Sequence, residues 1–233
     1  NNLQFIEHNV EEIIENDSIT VKFNIFQGQR VLVERINILG NTITNESVIR
    51  GELEIDEGDP YTELGLDKSV SNLKSRNIFK NIDTEVKSGS SSDLKIIELN
   101  VEEKPTGEIM AGAGFGTNGG SFAFTVKENN WLGEGKQVGF DAEVTGDSLR
   151  GTLNYTDPNY DFLGNSLNYY LGSTSNDKPD QGYENSIIEA GVNTSFEQYK
   201  DLFATLGLAA SYDDLTTADT ASDSLKKQSG EFS

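Results

Sequence analysis

The chain has 233 residues, enough for two domains, and a formal net charge of −21. The acidity is spread over both parts (−9 over residues 1–104 and −12 over 105–233), which argues against nucleic acid, whose phosphates demand clustered Lys and Arg. Absence of cysteine removes disulfides, thiol nucleophiles and thiolate metal sites together, and no run approaches the eighteen apolar residues of a transmembrane helix.

The chain opens on Asn1 with no signal peptide, so processing or truncation is expected. Residues 3–9 and 19–26 have strand character, with the acidic stretch 11–17 as their connection and a stop at Gln27-Gly28. A strand pair cannot stand alone in water, so residues 1–28 are expected to end a domain that starts upstream. Residues 29–104 read as one complete unit. Residues 30–39 alternate as a strand through Val31/Val33 and then Ile36/Ile38, and Gly40-Asn41 breaks it. Thr44 is the expected N-cap of a short helix over 45–53, with Glu46 in its first turn. After the Glu57-Gly58-Asp59-Pro60 turn, Leu66, Val70 and Leu73 mark a second helix at i, i+4, i+7 that ends near Asn77. Strands over 79–87 and 94–103 flank a Gly/Ser turn, giving the order β-α-α-β-β.

After a short connection at 104–107, one pattern repeats from Ile109 to Tyr212: about ten alternating positions, a turn, and the alternation again. Its apolar members include Phe122/Phe124/Val126, Val138/Phe140, Leu149/Leu153/Tyr155, Leu167/Tyr169/Leu171 and Leu202 to Tyr212; Asp141, Glu143, Arg150, Asn154 and Asn193 are among the interleaved polars. A soluble β-sandwich also alternates. However, roughly ten residues tilted by about 45° span a bilayer, and only a closed barrel pairs every backbone group in lipid. The expectation is therefore the first six to seven strands of a transmembrane barrel, with the apolar face to lipid. So few strands would leave a long unpaired edge, so further strands are expected beyond residue 233. Turns alternate in kind: those at 117–120, 146–147 and 176–183 are glycine-rich or acidic. Those at 129–136, 157–165 and 197–201 carry Trp131, Tyr160, Phe162 and Tyr199, an expected interfacial girdle that includes the Trp131-Leu132-Gly133 turn. The tail 213–233 reads as a polar loop.

Signals for catalysis are sparse. His8 is the single histidine, so a Ser-His-Asp or His-metal site lacks its partners. Asp141 and Glu143 share one strand face, but on a barrel wall they read as lumen polars. Gly112-x-Gly114-x-Gly116 precedes a strand and not a helix, so it fails the structural test of a phosphate loop. No enzyme activity, cofactor or metal is expected. Those glycines weaken strand order by roughly 0.5–1 kcal/mol each relative to Ala; on residues alone this serves a loosely paired seam, or only curvature and close packing.

Ile38-Leu39-Gly40-Asn41-Thr42, Val48-Ile49-Arg50, Glu57-Gly58 and Leu73…Asn77-Ile78-Phe79 resemble a POTRA domain. Gly112-Ala113-Gly114-Phe115-Gly116 and Asn129-Asn130-Trp131-Leu132-Gly133-Glu134-Gly135 then follow at the spacing of first barrel strands. Together they resemble the BamA family of outer-membrane barrel-assembly insertases across nearly the whole chain; the family's Arg-Gly-Phe loop motif is absent from this sequence. The resemblance implies an α+β POTRA domain followed by the N-terminal half of an antiparallel transmembrane β-barrel, with the POTRA in the periplasm, and makes residues 1–28 the end of a preceding POTRA. It implies a lateral gate at the first barrel strand (Ala111, Gly112, Ala113, Gly114, Phe115, Gly116) and a client-binding POTRA edge flanked by Asn81, Asp83 and Glu85. It also implies a POTRA–barrel hinge at Pro105 and Gly107, though Pro105 equally stiffens it. Expected partners are unfolded outer-membrane proteins, accessory assembly lipoproteins and outer-membrane lipid. The rivals are a POTRA-barrel translocator of the two-partner secretion kind and a passive porin or adhesin.

Overall fold

The computed structural model describes residues 6–15, 18–27, 30–116, 119–161, 163–200 and 202–232. Gly28, Thr117, Phe162 and Asp201, which the sequence placed in stops and turns, lie outside them. The elements begin with β1 (Ile6–Glu15), β2 (Ser18–Gln27), β3 (Leu32–Leu39), α1 (Glu46–Arg50), α2 (Glu63–Ser75), β4 (Phe79–Ser88) and β5 (Leu94–Glu103). They continue with β6 (Gly107–Gly116), β7 (Gly119–Trp131), β8 (Lys136–Thr145), β9 (Ser148–Asp157) and β10 (Ser166–Lys178). The last are β11 (Tyr183–Tyr199), β12 (Leu202–Thr217), α3 (Asp223–Lys226) and β13 (Gly230–Phe232). Two compact units divide the chain: Asn1–Asn41, Leu53–Ser75 and Phe79–Glu102 form one, and Thr42–Glu52, Arg76–Ile78 and Glu103–Ser233 the other.

In the first unit β5 lies between β3, its parallel partner, and β4. The parity change from Val33 to Ile36 is absorbed by a register shift between Val33 and Arg35, which returns both apolar pairs to one face. Val33, Ile36, Ile55, Leu66 and Ile97 form the core cluster, each worth roughly 1.5–3 kcal/mol of burial. Helix α2 buries Leu66, Ser69 and Leu73, so the inward position is Ser69 and not Val70. Its hydroxyl donates to the Gly65 carbonyl (2.8 Å) and accepts from the Glu54 N–H (2.8 Å), which satisfies the buried oxygen. Strands β1 and β2 pair antiparallel from Ile6↔Gln27 to Glu15↔Ser18. The acidic stretch expected as a connection is therefore largely strand: Glu12 and Ile14 continue the alternation of Val10 opposite Val21 and Ile19. Val10, Ile14, Ile19, Val21 and Phe23 are exposed.

In the second unit, β6 to β13 form one sheet ordered as the chain runs, with β6 and β13 at its edges. The register builds apolar rows across it, one running Ile109–Val126–Phe140–Leu153–Leu171–Ala190–Ala210 and the next Val138–Tyr155–Tyr169–Val192–Leu208. Ile109, Phe140, Leu153, Leu171 and Leu208 are all exposed, so within this unit no second layer of described residues covers this face. The opposite face is polar and cross-bonded. Thr125 donates to Asp141 (2.8 Å), Asn168 to Thr156 (2.7 Å) and Asn193 to Asn168 (3.3 Å). The turns fall at alternate ends as expected, but the strands outrun the apolar segments. Strand β10 continues to Lys178 and β11 starts at Tyr183, because Ser173–Lys178 pairs residue by residue with Tyr183–Ile188. The expected tail loop is also structured: β12 reaches Thr217, Ser222 caps α3 by accepting from the Leu225 N–H, and β13 pairs with Asp213–Leu215. Among the described residues no helix is long and apolar enough to cross a membrane.

An arginine at Leu153, mid-row on the apolar face, should cost about 2–4 kcal/mol of bilayer stability. The same change at neighbouring Thr152, on the polar face, should cost less. Denaturant unfolding of the full-length protein in lipid vesicles reads the difference, and equal costs would refute the facial assignment.

Candidate functional site

Strand β6 pairs only with β7, through ten register positions from Gly107↔Glu128 to Gly116↔Gly119, and its other edge has no partner among the described strands. Ile109, Ala111, Ala113 and Phe115 share the apolar face with Val126, Phe124 and Phe122; Gly112 and Gly114 take the polar face opposite Ala123 and Ser121. A Cβ on Gly112 or Gly116 would meet nothing within 4 Å, and one on Gly114 would sit 3.0 Å from the Ser121 hydroxyl. None of the three has positive φ. Within this unit neither turn geometry nor packing requires glycine at 112 or 116.

Strand β4 is one edge of the three-stranded sheet, β3 being the other. Asn81, Asp83 and Glu85 are exposed and alternate with buried Ile82 and half-buried Val86, so they project from the outward face of the strand. Asn81 donates to Asp83 at 2.6 Å, and Lys87 bridges Glu85 and Glu98.

The segment between β5 and β6 is short and tied down. The Lys104 N–H donates to the Ile78 carbonyl (3.1 Å), Lys104 Nζ reaches Asn77 Oδ1 (2.5 Å), and Pro105 is exposed. The Thr106 carbonyl accepts from the backbone N–H of Asn129 (3.2 Å) and from its side-chain amide (3.1 Å), while the Thr106 hydroxyl donates to Glu128. Gly107, expected in a hinge, is the first residue of β6.

Beside this base the β7–β8 turn receives the loop before α1. Glu103 organises that loop: its carboxylate accepts from the N–H and hydroxyl of Thr42 (2.9 and 2.7 Å), the N–H of Ile43 (3.0 Å) and the N–H of Thr44 (2.6 Å). Burial pushes the carboxyl up, but the bonds from Thr44, Thr42 and Ile43 outweigh it and hold the pKa at about 2. Thr44, expected as the α1 N-cap, gives that place to Asn45; its hydroxyl accepts instead from the buried Asn130 amide (2.9 Å), whose oxygen accepts from the Gly135 N–H (2.8 Å). The Asn45 N–H donates to the Gly133 carbonyl (2.8 Å). Gly133 (φ 73°) and Gly135 (φ 67°) need their backbone freedom. They also need the space, since a Cβ would stand 2.2 Å from the Ile43 carbonyl oxygen and 2.6 Å from Val48 respectively.

Arg76 completes the joint. Its guanidinium donates to the Gly135 carbonyl (2.6 Å) and lies 3.6 Å from Glu52, both side chains being nearly buried. Burial lowers the Arg76 pKa, offset in part by Glu52 and Asp157. Asn159, in the β9–β10 turn, donates to the Gly51 carbonyl (3.0 Å) and to Glu52 (3.2 Å). An open cleft of about 350 Å³ remains beside these groups, lined by Glu52, Arg76, Lys136, Asp157, Asn159 and Tyr160 among others. Trp131, Leu132, Tyr160 and Tyr199 are exposed at this end of the sheet.

Two families account for this succession of parts. Residues 31–104 match the family model "POTRA: Surface antigen variable number repeat", and residues 130–232 match the "Omp85 superfamily domain". The chain is thus similar to a POTRA domain in its first part and to an Omp85 domain in its second. Among curated relatives, the outer membrane protein assembly factor BamA of Neisseria meningitidis serogroup B is 27% identical over 211 residues, which is 89% of this chain and 25% of the relative. The chain thus spans about a quarter of that protein. Among solved structures, BamA from Haemophilus ducreyi lacking POTRA domains 1–3 superposes with a TM-score of 0.73 at 22% identity, covering 93% of this chain and 42% of that one. CdiB from Acinetobacter baumannii gives 0.59 at 14% identity, over 84% and 40%. These structural likenesses are of fold: a POTRA domain, then antiparallel strands matching the barrel's first half.

Sequence reasoning missed Thr44, Arg76, Glu103, Asn130 and Asn159 as members of one joint. The available signal was the glycine pair in Asn130-Trp131-Leu132-Gly133-Glu134-Gly135, two glycines being more than a four-residue turn ordinarily needs. Replacing Glu103 by Gln should cost about 1.5–3 kcal/mol locally, read as faster hydrogen exchange at the Ile43 and Thr44 amides. Since the folded pKa of about 2 lies below the unfolded value, this stabilisation is complete above pH ~4.3 and is lost as pH falls through about 2. Unchanged exchange in Glu103→Gln would remove the carboxylate from this role.

Proposed function

We propose that the chain serves assembly and insertion of β-barrel proteins into the outer membrane, with the edge of β6 as a lateral gate and the POTRA domain facing the periplasm. The unpartnered β6 edge carries the reading. It presents N–H and C=O groups to an incoming strand while its apolar residues continue the uncovered apolar face of β7. Main-chain hydrogen bonding of this kind binds without reading sequence, as a machine with many clients requires. Glycine at 112 and 116, unneeded for packing in this unit, lowers the order of the strand and with it the strength of any seam that closes on it. The β4 edge is a second place for an extended client or an accessory lipoprotein strand, with Asn81, Asp83 and Glu85 on its outward face. Residues 104–106 lead from the POTRA domain into the gate strand, with Lys104 bonded to Ile78 and Asn77 and Thr106 to Asn129 and Glu128. Folding of the client supplies the free energy, so the reading needs no catalytic group, cofactor or metal.

A second reading, a polypeptide translocator of the two-partner secretion kind, uses the same parts and gains from the polar face around Asp141, Asn154 and Asn168. Crosslinking separates the two. Cysteines at Ala111 or Ala113 in the full-length protein should capture the terminal strand of a stalled outer-membrane client. Adducts only from polar-face positions such as Asn154 would favour translocation, and none from Ala111 or Ala113 during active insertion would remove the gate. Replacing Gly112 by Val, for which the space exists, should slow client insertion about two- to fivefold by ordering the seam; an unchanged rate would count against the role of this glycine.

A further inference from the structure

Leu132 sits where its chemistry is out of place for a soluble turn. Its backbone is left-handed (φ 55°) and its side chain is 75% exposed. A left-handed conformation strains a residue with a Cβ, a strain that Gly avoids and Asn eases. No packing within the unit repays a leucine there. Its neighbour Trp131 stands opposite Lys136 in the β7–β8 register and so shares the face of Val138, the start of the row through Tyr155, Tyr169 and Leu208. The turn is thus continuous with the uncovered apolar face of the sheet.

Ile43 is the second such residue. It is 69% exposed, between Thr42 and Thr44 whose amides Glu103 holds. Its carbonyl lies where a Cβ on Gly133 would stand, and the Asn45 N–H donates to the Gly133 carbonyl. Two backbones are therefore keyed together with an exposed aliphatic on each side of the contact, while the loop's polar groups are turned to Glu103 and Asn130.

We propose that Ile43, together with Trp131 and Leu132, enters the headgroup–acyl boundary of the leaflet on this side. The loop before α1 is then a lipid-contacting element and not only a linker within the POTRA domain. The occupant is lipid, and not a protein groove, because the cluster continues the face read as the membrane wall; the inference rests on that reading. One consequence follows for the gate. Glu103, which grips this loop, directly precedes the segment entering β6, so the depth of Ile43 in lipid is transmitted to the base of the first strand.

Site-directed spin labelling of the full-length protein in bilayers tests this. Nitroxides are placed singly at Ile43→Cys, Leu132→Cys, Glu46→Cys and Val138→Cys, and their collisions with oxygen and with a water-soluble nickel complex are compared. Ile43 and Leu132 labels should lie roughly 5–10 Å inside the headgroup boundary, with oxygen favoured, and Glu46 should be fully aqueous. An Ile43 label as aqueous as Glu46 beside a lipid-exposed Val138 would overturn this inference alone. An Ile43 label shielded from both reagents would overturn it in favour of a protein partner. An aqueous Val138 label would overturn the membrane reading and this inference together.

Discussion

Backbone polar groups in hydrocarbon find no water, so each must be paired inside the protein, at a cost of several kcal/mol for every failure. The sheet from β6 to β12 is built around that requirement. Consecutive strands pair residue by residue, with register shifts confined to the β7–β8 turn and the end of β11. Once the ladder is continuous, the faces are free to differ. One carries Phe140, Leu153, Leu171 and Leu208 with nothing over them, and the other a bonded array of Thr, Asn and Asp. Among the described strands the ladder is left open along the outer edge of β6 and along β12 from Leu202 to Tyr212, and on the proposed reading the β6 edge is where an incoming strand adds.

At the base of that edge, precision replaces looseness. Strand β6 starts between Thr106 and Asn129, and the adjacent residue, Asn130, reaches the loop that Glu103 organises. The gradient along one strand is physical: side-chain and backbone bonds crowd Gly107 and Glu108, whereas open space surrounds Gly112 and Gly116. A strand side-chain-bonded at one end and open at the other fits the exchange of partners proposed for β6. Arg76 and Glu52 add a nearly buried ion pair to the fixed end. Such pairs contribute little net stability but penalise misplacement of either partner, and so specify one arrangement.

Much of this was legible in the residues. Period-two alternation located β7 to β12, because an uncovered apolar face is as strictly selected as a core, whereas β6 was placed through the resemblance of its glycine-rich run. The parity change between Val33 and Ile36 already required a bulge. Element ends were less legible: β10, β11 and β12 run on through Ser, Asn and Asp, where ladder pairing persists after apolar selection has ceased. The joint was hidden for another reason. Asn130, Arg76 and Glu103 are polar residues whose partners lie 86, 59 and about 60 positions away in the chain, and no local pattern encodes such distances. Thr44 shows the cost: local capping rules assign its hydroxyl to α1, whereas a buried amide from β7 claims it.

The two faces of the sheet meet different surroundings, lipid on one side and water on the other. Leu208 and Ala209 are neighbours at one depth of β12 and point to opposite faces. A tryptophan placed at each in turn, in the full-length protein reconstituted with lipids brominated along their chains, decides the matter. Fluorescence from Leu208→Trp should be strongly quenched above the parent background and that from Ala209→Trp should not; equal quenching, or quenching at 209 alone, would contradict the account.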